Sequence, residues 1–96
     1  MLIQLSKFGT TLTSRDSGKE AYSAIQPLLS ELSINDELIL NFDGVNTFSP
    51  SWADEFLTPL HKKYGERLVL QPTQNLSVKT TLNLLAEINK INFIVR

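Results

Sequence analysis

Residues 37–56 read ELILNFDGVNTFSPSWADEF, which places an apolar run, a polar turn and a helix start next to one another. The run Glu37–Phe42 is nearly continuous in apolar residues, as is typical of a central strand covered on both faces. Asp43-Gly44 closes this strand, and Ser49-Pro50 joins a preferred N-cap residue to a proline at the first helical position. We therefore expect a buried strand, a polar loop and then a helix.

The residues before this strand predict a hairpin and a helix. The apolar residues in 2–5 indicate a short strand, and residues 9–13 indicate a turn into a second strand that pairs with it antiparallel at the edge of the sheet. Residues 17–20 (Ser-Gly-Lys-Glu) have the spacing of a capping box, so we expect a helix to begin there. Pro27 should bend this helix, which we expect to end near Leu32.

The residues after the central helix predict a strand, a helix and a final strand. Arg67–Leu70 is a short apolar run, Asn75 or Ser77 can cap the last helix, and residues 92–95 are again apolar. Strands that alternate with helices pair mostly in parallel through right-handed crossovers. We predict a single α/β domain over residues 1–96, with a mixed, mostly parallel sheet and about three helices packed on it.

The last predicted helix carries more apolar residues than one buried stripe needs. Leu76, Leu84, Ile88 and Ile91 lie off its inner face. Either both sides of the helix are buried or one side is left for a partner. In so small a chain we favour burial under the hairpin and the C-terminus.

Composition excludes several classes of protein. The 96 residues carry nine Lys+Arg and ten Asp+Glu, so no net positive field favours nucleic acid. The absence of cysteine excludes disulfides, thiolate metal sites and a cysteine nucleophile. We find no signal-peptide pattern and no apolar run of membrane-spanning length, so we expect a cytoplasmic protein that does not associate with membranes.

The polar loop from Asp43 to Asp54 is the best candidate site. Sites in α/β sheets form beyond the carboxyl ends of strands, where loops meet helix N-termini. We expect this loop to bind a protein partner. The residues assigned to that role are Asp43, Asn46, Thr47, Ser49, Ser51, Trp52, Asp54 and Glu55.

Three residues of this loop have a structural interpretation, and for two of them, Ser51 and Trp52, a functional one stands beside it. Ser49 is sufficiently explained as an N-cap. Ser51 falls in the first helical turn, where free N–H groups and the helix dipole would stabilise a phosphate, although on composition alone a solvated structural serine is favoured. Trp52, the only tryptophan, either lies partly exposed as a partner anchor or covers the edge of the sheet.

The residues supply no catalytic or metal-binding set. His61 is the only histidine, and ten residues of helix separate it from Ser51 by about 15 Å. With Lys62-Lys63 it is expected to form a solvated basic face near a helix C-terminus. We therefore predict no catalytic residue, no cofactor and no metal, and hence no enzyme.

Residues 42–56 resemble the STAS-like domains of unknown function, in which an apolar strand, an acidic-Gly-Val turn and a Ser-Pro-Ser-aromatic-Ala-Asp-Glu helix start follow one another. The likeness extends over about residues 37–88. These domains are similar to the STAS group of anti-sigma factor antagonists, whose serine at the corresponding helix start is phosphorylated by a histidine-kinase-like ATPase. By position, Ser51 falls on that serine.

The resemblance implies a STAS-like fold and a non-enzymatic regulatory module that binds a protein, switched by phosphorylation of Ser51. The antagonists read Asp-Ser-Ser-Gly where this chain has residues 49–52, Ser-Pro-Ser-Trp, so binding carries over better than phosphorylation. An unswitched structural adapter is the second hypothesis, and a small hydrolase the third. The partner's identity, any small-molecule ligand, the oligomeric state and the pathway stay open.

Overall fold

Four parallel strands form the main sheet of the computed structural model, which describes all of residues 1–96. A second, two-stranded sheet is also parallel. In chain order the strands are β1 (Leu2–Gln4), β2 (Thr11–Leu12), β3 (Leu38–Asn41), β4 (Thr47–Phe48), β5 (Leu68–Leu70) and β6 (Ile94–Val95). The order in the main sheet is β1-β3-β5-β6, and the small sheet pairs β2 with β4.

Three long helices and one short helix connect these strands. They are α1 (Arg15–Ala24), α2 (Gln26–Leu29), α3 (Pro50–Tyr64) and α4 (Leu76–Asn89). The predicted α/β fold, with a mostly parallel sheet and three main helices, is confirmed. None of the helices has both the length and the apolar character needed to cross a membrane.

The predicted N-terminal hairpin is wrong. β1 and β2 lie in different sheets, and β1 pairs in parallel with β3, with Ile3 beside Leu40. The two strands are separated by a 3₁₀ turn at Leu5–Phe8, which is followed by Gly9 at φ 128°. Together they direct the chain away from the main sheet. β2 then runs beside β4, and every strand pair in the molecule is parallel.

The first helix begins three residues earlier than the capping box predicts. Ser14 is the N-cap, and its Oγ accepts a hydrogen bond from the N–H of Ser17. The prediction of a start at Ser17 was therefore wrong, because a nearby serine was available to cap the same turn. The helix predicted to bend at Pro27 is instead divided in two: α1 ends at Ala24, α2 carries Pro27 in its first turn, and regular helix stops at Leu29, before the predicted Leu32.

The core lies between the main sheet and α3. All three residues of β5 are buried, as expected for a central strand, whereas in β3 only Leu38 and Leu40 are buried and the alternate residues are half-buried. The strand formed by the Glu37–Phe42 run is thus fully covered on one face and only partly covered on the other. Helix α3 buries every fourth residue along one stripe, namely Trp52, Phe56, Leu60 and Tyr64, together with Ala53 and Leu57.

The outer side of α4 is exposed, so the prediction that it is buried was wrong. Leu76 is 76% exposed and Ile88 is 64% exposed, and Leu84 is also exposed. Ile91, just beyond the helix, is half-buried. Val78, Thr81 and Leu85 supply the inner face of α4. The N-terminal segment expected to cover the other side pairs with β4 instead.

Helices α1 and α3 approach each other closely at Gly18. A Cβ added there would lie 2.6 Å from the Trp52 carbonyl oxygen and 3.0 Å from the Trp52 Cα. We expect Gly18→Ala to lower the free energy of unfolding by about 1–3 kcal/mol through overpacking, although alanine is otherwise about 1 kcal/mol better than glycine in a helix. Urea unfolding measures the change. Ser23→Ala, at an exposed position of α1, is the matched control, and equal or higher stability of Gly18→Ala would show that the helices are not in this contact.

Candidate functional site

The connection between β3 and α3 is a fixed segment rather than a free loop. Gly44 sits at φ 87° in the turn after β3, a conformation that glycine adopts without strain. The N–H groups of Asn46 and Thr47 both donate to the Thr10 carbonyl, at 2.7 and 3.1 Å, and the N–H of Ser49 donates to the Leu12 carbonyl at 2.9 Å. One edge of the segment is therefore held by β2 and the residue before it.

Side chains of α4 hold the other edge of β4. Ser77 Oγ accepts from the Phe48 N–H at 2.9 Å, and Thr81 Oγ1 donates to the Phe48 carbonyl at 2.5 Å. Asn75 caps α4 and its amide also donates to the carbonyls of Val45 and Asn46. The backbone of β4 is thus bonded on both sides, so this segment needs no other strand.

Sequence reasoning missed the role of these α4 side chains. It identified Asn75 and Ser77 only as alternative helix caps, and the Asn75 cap is confirmed. The available signal was Thr81, which stands at an inner-face position between Val78 and Leu85 and is buried. A buried hydroxyl among apolar neighbours has to find a hydrogen-bond partner, and here that partner is the Phe48 carbonyl.

Ser49 is the N-cap of α3, as predicted. Its Oγ accepts from the Trp52 N–H at 3.3 Å and donates to the Thr13 carbonyl at 2.7 Å. The hydroxyl therefore starts the helix and ties it to the residue after β2. These two bonds account for Ser49 by structure.

Ser51 occupies the second position of α3 and is half-buried. Its hydroxyl makes no hydrogen bond to another protein atom, in contrast to that of Ser49. Its backbone N–H belongs to the first helical turn, where no carbonyl of the helix can accept it. Ser51 thus combines an unengaged hydroxyl with the positive end of a fifteen-residue helix.

Arg15 of α1 forms ion pairs with Asp54 and Glu55, which lie one helical turn after Ser51 in α3. Arg15 Nη1 lies 2.8 Å from Glu55 Oε1 and 3.2 Å from Asp54 Oδ2. The hydrogen bonds with Glu55 and then Asp54 raise the pKa of Arg15 above its ordinary value, at which a guanidinium is already charged at any physiological pH. Thr58 Oγ1 also donates to Asp54 Oδ1 at 2.9 Å. The pairing of Arg15 is non-local, and no local pattern in the sequence indicated it.

Trp52 is not a partner anchor. Only 1% of it is exposed, so the prediction of an exposed ring was wrong. Its ring centroid lies 4.8 Å from that of Phe56, 5.6 Å from that of Phe48 and 6.2 Å from that of Phe8. The spacing of four residues to Phe56 and Leu60 puts Trp52 on the buried stripe of α3, so the ring is a core residue, closer to the structural interpretation of a ring that covers the sheet than to an exposed anchor.

The remaining predicted residues stay accessible. Asp43, Asn46 and Thr47 are exposed, and Asp54 and Glu55 are half-buried. The Asp43 N–H donates to Asn41 Oδ1 at 2.9 Å, which ties this residue to the end of β3. We call these accessible residues together the α3-start surface; they are Asp43, Asn46, Thr47, Ser51, Asp54 and Glu55.

His61 lies in the last turn of α3 with Lys62 and Lys63. The predicted solvated face is correct for the two lysines, which are exposed, but wrong for His61, which is half-buried. Its ring packs edge-on against Phe93, with centroids 5.7 Å apart. No three of the His, Asp and Glu side chains lie close enough together to hold a metal ion. The histidine is therefore part of the packing between α3 and the C-terminal residues.

Comparison with known proteins gives one finding. No curated protein and no solved structure matches the chain. A family described as a STAS-like domain of unknown function matches residues 17–76, which run from within α1 to the first residue of α4 and make up more than half of the chain. The protein therefore belongs to the family of STAS-like domains of unknown function.

Proposed function

We propose that this protein is a non-enzymatic module that binds a regulatory protein through the α3-start surface, and that phosphorylation of Ser51 controls this binding. The observation that carries the proposal is the contrast between two neighbouring serines. The hydroxyl of Ser49 is committed to two bonds within the fold, whereas that of Ser51 makes none. Ser51 is thus the hydroxyl of this helix start that can be modified without breaking a cap.

The rigidity of the surface supports a binding role. β2 and α4 hold the segment before α3 from both sides, and Arg15 ties α1 to α3. A surface that is already ordered loses little conformational entropy when a partner docks. The polar side chains of the α3-start surface can therefore contribute to affinity without a large entropic cost of ordering the backbone that carries them.

The local charge supports control by phosphate. Asp54 and Glu55 carry two negative charges against the single positive charge of Arg15, which leaves the surface net negative. A phosphoserine adds about −1.5 to −2 charges at pH 7. On the three- and four-residue spacing of a helix, Ser51 stands beside both carboxylates. Phosphorylation should therefore repel an acidic or apolar partner surface and release it.

We propose a histidine-kinase-like ATPase as the partner, following the resemblance to the anti-sigma factor antagonists. The enzyme hypothesis receives no support from the site, because the only histidine is at the opposite end of α3 from Ser51. We therefore assign no catalytic residue and no cofactor.

Affinity capture from the native host, with quantitative mass spectrometry, tests the proposal. We expect the wild-type chain and Ser51→Ala to retain one partner, and Ser51→Asp to retain at least about tenfold less of it, because the added charge repels the partner. Ser23→Asp, at an exposed serine of α1, is the matched control and should behave as wild type. A peptide with phosphate on Ser51 is expected in the captured bait. Equal retention by Ser51→Asp would contradict a switch at this residue.

An unswitched adapter is the second candidate function, and the exposed apolar side of α4 favours it. Leu84 and Ile88 lie one turn apart on that side. If the captured partner is lost from Ile88→Ser but kept by Ser51→Asp, the contact surface is α4 and the adapter interpretation replaces the switch.

A further inference from the structure

A groove of about 550 Å³ lies beside the carboxyl end of β5. It is bounded by the connection between β5 and α4, by one side of α4 and by the C-terminal residues. The residues that matter for its chemistry are Gln71, Lys79, Leu82, Asn83, Asn92 and Phe93. Its volume falls within the range of small-molecule sites, and it opens beyond the carboxyl end of β5, where ligands of α/β proteins bind.

The lining combines an apolar floor with neutral polar groups. Leu82, Ala86 and Phe93 supply hydrocarbon surface, and Asn83 and Asn92 supply side-chain amides. A ligand with a flat apolar body would bury its faces against the aromatic ring and the leucine. The amides can hydrogen-bond to its edges.

The only charged residue of the lining is Lys79. It forms no ion pair, since the three ion pairs of the chain involve Arg15 and Arg96. No aspartate or glutamate lines the groove, so a ligand would meet one positive charge and no negative charge among the lining side chains. This distribution favours an anion over a neutral or cationic molecule.

Gln71 adds a directed donor. Its Oε1 accepts from Asn41 Nδ2 at 2.7 Å, which fixes the amide by its acceptor end. The NH₂ group of Gln71 has no protein acceptor and is available to a ligand. An ammonium and an amide NH₂ on one groove provide the donors that a carboxylate needs.

We propose that this groove is a binding site for a small organic carboxylate with a flat, apolar body. The carboxylate is held by Lys79 and Gln71, and the body lies on Leu82 and Phe93. This proposal uses none of the residues of the α3-start surface; Asn41, which bonds to both Gln71 and Asp43, stands between the two sites.

Titration with 2-naphthoate and with its neutral analogue 2-naphthamide tests the site. Calorimetry gives the dissociation constants of the two compounds, and ¹⁵N-resolved NMR shows which backbone amide signals shift on binding. We expect 2-naphthoate to shift the amide signals of residues 71–79 and 92–95 saturably, and to bind at least about tenfold more tightly than 2-naphthamide.

Two variants identify the groove as the site of this preference. Lys79→Gln should bring the affinity for 2-naphthoate down to that for 2-naphthamide, and Asn83→Asp should weaken 2-naphthoate by placing a negative charge on the rim. Both positions are exposed on α4, so the fold is preserved. Lys62→Gln, on the exposed side of α3, is the control and should bind as wild type. The proposal is overturned if no saturable shifts occur, if they occur elsewhere, or if Lys79→Gln binds 2-naphthoate as tightly as wild type.

Discussion

Trp52→Ala is expected to lower the free energy of unfolding by about 3–5 kcal/mol, the usual cost of truncating a buried aromatic residue. The reason is the position of the ring, which is 1% exposed and packs against Phe8, Phe48 and Phe56. Its removal leaves a cavity between α3, β4 and the 3₁₀ turn. Urea unfolding followed by circular dichroism measures the loss without relying on tryptophan fluorescence.

Leu84→Ala is the control for this experiment, because Leu84 is exposed on α4 and its truncation should cost far less. A loss below about 1 kcal/mol for Trp52→Ala would place the ring outside the core, where a partner could reach it. In that case the assignment of Trp52 to packing rather than binding would be wrong.

Leu40→Ala is expected to cost about 2–5 kcal/mol. Leu40 is fully buried in β3, between Ile3 of β1 and Leu70 of β5. Because small domains are stabilised by only about 5–15 kcal/mol in total, this variant should unfold at much lower urea concentration.

Ile39→Ala is the matched comparison, since Ile39 is on the half-buried face of the same strand. Its truncation should cost clearly less than that of Leu40. Equal losses for both variants would contradict the one-sided burial of β3.

The parts of the fold that local sequence predicts are those with strong local signals. The apolar run at residues 37–42 marked β3, and Ser49-Pro50 marked the start of α3, to the residue. Of the two predicted caps of the last helix, Asn75 and Ser77, the structure uses Asn75. In each case a cap or an apolar run acts within a few residues, so local structure and tertiary structure agree.

The parts that the sequence did not predict depend on contacts between distant residues. β2 pairs with β4, thirty-six residues away, and not with the adjacent β1. The burial of Trp52, by contrast, had a local signal that the sequence analysis did not use: its four-residue spacing to Phe56 and Leu60 places it on the buried stripe of α3. Phe8, from the N-terminal 3₁₀ turn, adds a distant contact, with ring centroids 6.2 Å apart.

The sequence predicted which segment carries the candidate site, but it did not predict the contacts that hold that segment in place. The segment after β3 is where the sequence placed it, and Ser51 is in the first turn of α3. Two sets of contacts were not predicted. These are the ion pairs of Arg15 with Asp54 and Glu55 and the hydrogen bond from Thr81 to the Phe48 carbonyl, and each joins residues more than thirty positions apart. Such pairings carry no local pattern.

The affinity of the captured partner for the chain with phosphoserine at position 51 tests the central claim most directly. The phosphoserine is incorporated site-specifically, and calorimetry compares this chain with the unmodified one and with a chain carrying phosphoserine at position 23. We predict binding at least about tenfold weaker with phosphate on Ser51 and unchanged binding with phosphate on Ser23. Equal affinity of all three folded chains would contradict the assignment of Ser51 as the residue that controls binding.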